Sequence, residues 1–142
     1  MTTVILFGAT GKTGLALSKL IIKNDMELFT SARTETDRKY LESLGANTFI
    51  ADALHPNQIL ESMRNVNGRS IVISLVGGSS KGTGVRADYL GNKNIIEASV
   101  TSGLKRFIFV TSIGSGESRH ELPDVVKPFL GPIAAEKTKA EN

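Results

Sequence analysis

A seven-residue turn near the start of the chain combines residue types that suit phosphate binding. Its members are Gly8, Ala9, Thr10, Gly11, Lys12, Thr13 and Gly14. Glycines at this spacing permit a sharp turn, a close approach of the backbone to a pyrophosphate, and close packing of the following helix. Thr10, Lys12 and Thr13 add side-chain donors. The turn therefore predicts a dinucleotide site, and a glycine turn that binds nothing is the alternative.

Arg33 follows the predicted second strand and lies 19 residues after Gly14. An acidic side chain at this position binds the ribose 2′-hydroxyl of NAD, whereas an arginine accommodates the 2′-phosphate of NADP. A guanidinium can meet a phosphate through two parallel hydrogen bonds. The sequence therefore predicts NADP(H) as the cofactor, and the alternative for Arg33 is a solvated loop charge.

A dinucleotide-binding turn of this kind joins a strand to a helix, and the hydropathy pattern predicts both elements. Residues 4–7 form a continuous apolar run, as in a strand buried on both faces, and residues 13–23 show helical periodicity. Further strands are predicted at 28–32, 48–51, 70–75 and 106–110, and further helices at 35–44, 57–63, 85–101 and 134–142. Strands that alternate with helices form parallel sheets with helices on both faces. We predict a doubly wound α/β fold of the Rossmann type, with residues 1–142 as a single domain.

Composition narrows the functional classes. The 17 basic and 14 acidic residues are scattered along the chain, so neither nucleic-acid nor membrane binding is predicted. The chain has no cysteine, which removes disulfides, thiolate metal sites and cysteine nucleophiles, and no metal site is predicted. No apolar run approaches the ~20 residues that span a bilayer. The first strand begins too close to Met1 to leave room for a secretory signal, so we expect a soluble, cytoplasmic protein.

Two nucleotide-binding patterns compete for the glycine turn. Gly11-Lys12-Thr13 matches the end of a P-loop, but that motif needs a glycine five residues before Gly11, where Leu6 lies. The pattern Gly-Ala-Thr-Gly-x-Thr-Gly directly after an N-terminal strand instead resembles the short-chain dehydrogenase/reductase superfamily. The similarity is to its extended and atypical branches, which include the NmrA-like and biliverdin reductase B-like NAD(P)-binding proteins. The resemblance runs through most of the chain.

The resemblance assigns further residues to the cofactor. Asp52 matches the family's acidic residue that receives the adenine amino group, and Ala53 matches the residue that contacts the ring. A turn cap is the alternative role for Asp52. Leu75, Val76 and Gly77 match a segment that lies against the adenine ribose and the nicotinamide side of the cofactor. For the glycine- and serine-rich stretch 77–84 the alternative is a flexible loop, including a lid over the cofactor.

The resemblance also assigns catalytic residues, with one departure. Ser112 matches the family's active-site serine, which hydrogen-bonds the substrate carbonyl, and Lys137 matches the lysine that follows the catalytic tyrosine by four residues. Ile133 stands at the tyrosine position, and neither Tyr40 nor Tyr89 lies in a matching place. Isoleucine cannot transfer a proton. The alternatives are a strand-end cap for Ser112 and a solvated tail lysine for Lys137.

Two functions from different classes remain open. One is an atypical short-chain oxidoreductase that transfers a hydride from NADPH to a small carbonyl, quinone or flavin-like substrate. The other is a non-catalytic NADP(H)-binding redox sensor that acts through a protein partner. A sugar-nucleotide or isomerising enzyme of the extended branch is a weaker third, because it needs a substrate domain.

The family continues with strands and helices that form the substrate cleft. We therefore expect the chain to be a fragment, a minimal variant, or a subunit whose sheet edge a partner covers, in the simplest case as a homodimer.

Overall fold

A computed structural model describes residues 1–78 and 85–142 of the chain. Strands in the described part are β1 (Thr3–Phe7), β2 (Glu27–Ala32), β3 (Asn47–Ile50), β4 (Ile71–Ser74) and β5 (Arg106–Phe109). The α-helices are α1 (Lys12–Lys23), α2 (Glu35–Ser43), α3 (Pro56–Ser62), α4 (Leu90–Thr101) and α5 (Lys127–Glu141). A 3₁₀ helix covers Gly116–Glu121. The strands form one parallel sheet in the order β3-β2-β1-β4-β5, which confirms the predicted doubly wound fold.

Both faces of the central strand β1 are buried, because consecutive side chains point to opposite sides of a strand. Val4 and Leu6 pack on the face covered by α1 and α2, together with the buried residues Ile21, Leu28 and Leu41. Ile5 and Phe7 pack on the face covered by α3 and α4, together with Ile59, Met63, Val72 and Ile95. Each fully buried aliphatic or aromatic side chain contributes about 1.5–3 kcal/mol. Double burial explains why β1 is a continuous apolar run.

The strand order reverses at β1. β2 and β3 lie on one side of β1, and β4 and β5 lie on the other, so the connections after β1 and β4 leave the sheet in opposite directions. Open parallel sheets bind ligands in the crevice that forms at such a switch point, outside the carboxyl ends of the strands. The fold therefore locates the site at the segments that follow the strands.

Two predicted helix boundaries are wrong. α4 begins at Leu90 and not at residue 85, because the side chain of Asp88 bonds the backbone of Gly78 and the first helical hydrogen bond runs from Lys93 N to Tyr89 O. α5 begins at Lys127 and not at residue 134, because a proline in the first turn of a helix needs no hydrogen-bond acceptor and Pro128 lies there.

The sequence pattern does not predict the 3₁₀ helix Gly116–Glu121. Residues 79–84, most of the stretch for which the sequence allows a lid, lie outside the described residues. Among the helices of the described ranges, none is long and apolar enough to cross a bilayer.

The two prolines of α5 are expected to differ in how much they destabilise the helix. Pro132 lies inside the helix, where it cannot donate the hydrogen bond that an ordinary residue would give to the carbonyl of Pro128. Pro132→Ala should therefore raise the free energy of unfolding, by about 1–3 kcal/mol. Pro128→Ala is the matched control and should change it by less than about 0.5 kcal/mol, since no helical acceptor exists for its nitrogen. Urea unfolding followed by circular dichroism measures both, and equal effects would contradict this account.

Candidate functional site

A cleft with a volume of about 230 Å³ lies at the carboxyl ends of the strands. Its lining comes from the end of β2 and from the segments after β1, β2, β3 and β4, with one residue from the segment before α4. The lining residues are Gly8, Thr10, Gly11, Ser31, Arg33, Ala51, Asp52, Ala53, Leu75, Val76, Gly77 and Ala87. Nine of them are residues that the sequence assigned to the cofactor, and Ser31, Ala51 and Ala87 are additional. The structure thus brings together residues that lie up to 79 positions apart.

Gly8 and Gly14 are required by the fold itself. Gly8 has a φ of +89°, and a Cβ there would lie 3.0 Å from the backbone carbon of Leu75 on the neighbouring strand segment. Gly14 is buried in the first turn of α1, where a Cβ would overlap the carbonyl oxygen of Gly8 and lie 2.8 Å from the Cα of Ala9. These two glycines let α1 begin directly against the end of β1.

Gly11 is different, because the fold places no comparable demand on it. Its φ of −73° suits any residue, and a Cβ at this position would lie an ordinary 3.7 Å from its nearest neighbour, the carbonyl oxygen of Gly8. Gly11 nevertheless lines the cleft. The fold therefore does not explain the absence of a side chain at Gly11, whereas its place in the cleft lining fits the predicted approach of a pyrophosphate.

The N-terminus of α1 faces the cleft with its positive end uncompensated. Gly11 is the N-cap, no side chain caps the helix, and its first turn has no acidic residue. The first backbone N–H groups of a helix have no intrahelical acceptor and attract anions together with the helix dipole. Lys12 and Thr13 are exposed at this end but do not line the cleft, whereas Thr10 does. A phosphate is the ligand group that such an end accepts.

Arg33 supplies the cleft with a cation that no residue of the described chain neutralises. Its side chain is exposed and makes no hydrogen bond or ion pair with the described residues. Arg38, one turn into α2, is instead held by Glu35 at 2.6 Å and Glu42 at 3.0 Å. Ser31, which also lines the cleft, lies two residues before Arg33 at the end of β2. The site therefore offers a guanidinium and a hydroxyl to the same part of a ligand.

Asp52 caps its own turn, as the alternative role for this residue predicts. Its Oδ1 accepts a hydrogen bond from the backbone N–H of Leu54 at 2.9 Å, and its own N–H donates to Gln58 Oε1 at 2.9 Å. The second carboxylate oxygen has no hydrogen bond to the described residues. Capping and ligand binding are therefore compatible at Asp52, with Ala53 beside it in the cleft.

The wall formed by the end of β4 is held by buried polar side chains. The carbonyl oxygen of Val76 accepts from Asn92 Nδ2 at 3.1 Å and from Lys137 Nζ at 3.0 Å. Lys137 also donates to the carbonyl of Val110, after β5, at 2.9 Å, and its ammonium lies 5.2 Å from the ring centre of Phe109. Burial lowers the pKa of Lys137 below its ordinary value, and the carboxylate of Asp88 opposes that shift. Lys137 thus ties the ends of β4 and β5 together.

The two residues predicted to be catalytic lie outside the cleft lining. Ser112, after β5, has its hydroxyl 3.3 Å from that of Ser115, which in turn lies 3.4 Å from the carbonyl of Ala134 in α5. Lys137 is only 7% exposed, so it is not a solvated tail lysine. Ile133 lies one turn before it in α5 and is half-buried. An ammonium has three N–H donors, and backbone carbonyls use two of those of Lys137, so one remains.

Sequence reasoning missed Asp88 and Asn92, which are 1% and 0% exposed. A signal existed, because residues 88, 92, 95 and 99 share one helical face at i, i+4, i+7 and i+11. Polar residues on the same face as the buried Ile95 conflict with a purely apolar helix stripe. Such a conflict marks a place where polar groups meet a structural or functional partner.

Known proteins share this fold. The model of a family described as NAD(P)H-binding matches residues 8–142. ChuY, an anaerobilin reductase from Escherichia coli O157:H7, superposes with a TM-score of 0.88 at 29% identity, covering 99% of this chain and 65% of that chain. Gre2 from Candida albicans, solved in complex with NADPH, has a TM-score of 0.76 at 14% identity, covering 99% of this chain and 51% of that chain.

A curated relative is similar in sequence. The uncharacterized sugar epimerase YhfK of Bacillus subtilis is 28% identical over 130 residues, which cover 89% of this chain and 59% of the relative. The chain therefore spans between half and two thirds of the length of these relatives.

Gly11 and Gly14 provide a matched test of the two kinds of glycine. Gly11→Ala should leave the free energy of unfolding within about 1 kcal/mol of the wild-type value, because a Cβ fits there. It should weaken NADPH binding at least about tenfold, because the methyl group enters the cleft. Gly14→Ala should instead destabilise the fold by about 2 kcal/mol or more, since its Cβ overlaps backbone. Calorimetric titration and urea unfolding separate the two effects, and unchanged binding by Gly11→Ala would contradict the assignment.

Proposed function

The chain belongs to the NAD(P)H-binding family, and from this premise we propose that it is an NADPH-dependent reductase of the atypical short-chain type. The resemblance to the atypical short-chain branch is confirmed, and nicotinamide cofactors are the ligands of this family. The preference for NADP(H) over NAD(H) rests on one observation. Arg33 is a cation at the cleft that none of the described residues neutralises, and no acidic side chain follows β2 before α2 to bind a ribose 2′-hydroxyl.

The residues of the cleft fit each part of such a cofactor. The backbone of Gly11 and the open N-terminus of α1 suit the pyrophosphate. Arg33, with Ser31, suits the 2′-phosphate, and the free oxygen of Asp52 suits the adenine amino group. The wall at Leu75, Val76 and Gly77 then lies against the remaining sugar. The phosphate groups of the cofactor thus lie against positive charge. Its adenine base lies against the small side chain of Ala53 and one hydrogen-bond acceptor, the carboxylate of Asp52.

The proposed chemistry assigns two side chains beyond the cleft lining. A bound reduced nicotinamide supplies a hydride. Ser112 orients the substrate by donating a hydrogen bond from its hydroxyl, which is half-buried after β5. Lys137 gives its third N–H to the nicotinamide ribose while its other two stay on the carbonyls of Val76 and Val110. Because Ile133 has no proton to give, the reduced substrate takes its proton from solvent.

The substrate class follows from the missing acid. A simple ketone becomes an alkoxide when it accepts a hydride, and that anion needs a proton donor in the site. A quinone, a flavin or another extended conjugated system spreads the charge and can be protonated by water. We propose a conjugated substrate of this kind. The similarity to an anaerobilin reductase supports the inclusion of linear tetrapyrroles among the compounds to be tested.

Ile133 also favours a second function. A chain with the cofactor cleft but an apolar residue at the position of the catalytic tyrosine suits an NADP(H)-binding regulator that passes the redox state to a protein partner or to a second copy of itself. In that case NADPH binds and no substrate is turned over. The two functions therefore differ in turnover and share the binding site.

Arg33→Gln tests the cofactor preference. Loss of a charged contact to the 2′-phosphate should weaken NADPH binding about tenfold to a hundredfold and leave NADH binding within about twofold. Arg64→Gln removes the same charge from an exposed position after α3, outside the cleft lining, and should change neither affinity. Calorimetric titration of both nucleotides with the three proteins measures this. Equal affinity of the wild-type chain for NADPH and NADH would remove the preference.

Turnover separates the reductase from the regulator. We expect loss of NADPH absorbance at 340 nm with at least one quinone, flavin or linear tetrapyrrole, and little with simple aliphatic ketones. Ser112→Ala should lower kcat about tenfold to a hundredfold without changing NADPH affinity, because it removes a donor to the substrate. Ser43→Ala, an exposed serine at the end of α2, is the control. Tight NADPH binding without turnover of any substrate in the panel favours the regulator.

A further inference from the structure

The glycines at 77 and 78 are explained by a buried carboxylate. Neither is among the glycines with positive φ, so backbone freedom does not require them. A Cβ on Gly78 would lie 2.9 Å from Asp88 Oδ2, and one on Gly77 would lie 3.2 Å from Asp88 Oδ1. The side chain of Asp88 therefore lies flat against this piece of backbone. The sequence alone suggests a different reason for the small residues, namely approach of the cofactor.

Asp88 holds Gly78 at both of its polar backbone groups, directly and through Arg86. The Gly78 N–H donates to Asp88 Oδ2 at 2.8 Å, and Arg86 Nε donates to the same oxygen at 2.9 Å. Arg86 Nη2 donates to the carbonyl of Gly78 at 3.1 Å. The Arg86–Asp88 pair thus encloses one glycine between a carboxylate and a guanidinium.

Asn92 extends the arrangement by one helical turn. Its side-chain amide donates to the carbonyls of Val76 and Asp88 at 3.1 and 2.7 Å, and its oxygen accepts from Ser74 at 2.6 Å. Lys137 also donates to the Val76 carbonyl, so side chains of α4 and α5 hold Val76, while Arg86 and Asp88, in the segment before α4, hold Gly78.

Burial of polar and charged groups is energetically unfavourable unless those groups are paired. An unpaired carboxylate out of water costs several kcal/mol, and Asp88, which is 1% exposed, is paired among the described residues with the Gly78 N–H and Arg86 and lies within reach of the charge of Lys137. The residue that Asp88 holds, Gly78, directly follows the cleft-lining residues Leu75, Val76 and Gly77, and Ala87, between Arg86 and Asp88, lines the same cleft.

We propose that Asp88 is a positioning residue of the cofactor site, which fixes Gly78 at the end of the Leu75–Gly77 wall, and the adjacent Ala87, before the cofactor binds. The inference rests on the proposed NADPH site and adds to it a residue that does not touch the cofactor. Preorganisation of this wall spares the cofactor the entropy cost of ordering it.

Asp88→Asn tests the proposal, because it keeps the size of the side chain and an oxygen for the Gly78 N–H but removes the charge. We expect amide hydrogen exchange at Gly78 to become at least about tenfold faster, and NADPH binding to weaken about tenfold. Asp124→Asn, at an exposed aspartate before α5, is the control and should change none of these.

A purely structural role gives a different result. It would lower the free energy of unfolding and leave NADPH affinity unchanged under folding conditions, and that outcome overturns the proposal. Unchanged exchange at Gly78 overturns it as well. A wild-type chain that does not bind NADPH refutes the proposed function, whereas a wild-type chain that binds while Asp88→Asn binds equally well refutes this inference alone.

Gly78→Ala keeps the test decisive if Asp88→Asn does not fold. Its Cβ would lie 2.9 Å from Asp88 Oδ2 and 3.1 Å from Arg86 Cβ, so the pair must move away from the backbone. NADPH binding should weaken about tenfold. Gly131→Ala, where a Cβ meets nothing within 4 Å, is the matched control and should bind as the wild type does. Equal NADPH affinity of Gly78→Ala and Gly131→Ala overturns the proposal.

Discussion

The close contact between the first turn of α1 and the end of β1 is the constraint on which the site depends. Gly14 lies so near the Gly8 carbonyl that no side chain fits between them, and Gly8 itself turns with a φ that favours glycine. The helix therefore starts directly beneath the strand, and its N-terminus points into the switch point between β1 and β4. If α1 began farther from the end of β1, the free N–H groups at its N-terminus would face solvent and not the cleft.

A second set of forces fixes the opposite side of the cleft, and it is of a different kind. The β1 side depends on steric fit between backbones, whereas the β4 side depends on buried polar groups, Asp88, Asn92 and Lys137. Hydrogen bonds are directional, so they specify where a carbonyl such as that of Val76 must lie. Apolar packing alone specifies position less sharply. The cleft thus has one wall set by shape and one set by hydrogen bonds.

The difference between these walls explains what the sequence could predict. Strand β1, the glycine turn and Arg33 follow local rules of periodicity and spacing, and the structure places them as those rules predict. The start of α5 is missed because Pro128 interrupts the helical pattern, although a proline in the first helical turn is compatible with the helix. The start of α4 and the role of Asp88 are missed for a non-local reason, since the partners of Asp88 lie 10 residues earlier, at Gly78, and 49 residues later, at Lys137. The polar residues on the face of α4 could mark Asp88 as unusual, but hydropathy patterns carry no information about which distant groups it contacts.

Lys137 shows how the polar wall bears on the chemistry. A lysine that assists a tyrosine in proton transfer must place its charge beside the phenol oxygen, but here Ile133 offers no such group and the ammonium is held by two backbone carbonyls. Burial lowers the pKa of Lys137, and the carboxylate of Asp88 opposes that shift. A group whose N–H donors are bonded to two backbone carbonyls is poorly placed to deliver a proton to the substrate in each turnover. In the proposed reductase, the proton therefore comes from water. The substrate must then be one whose reduced, anionic form is stable until water protonates it.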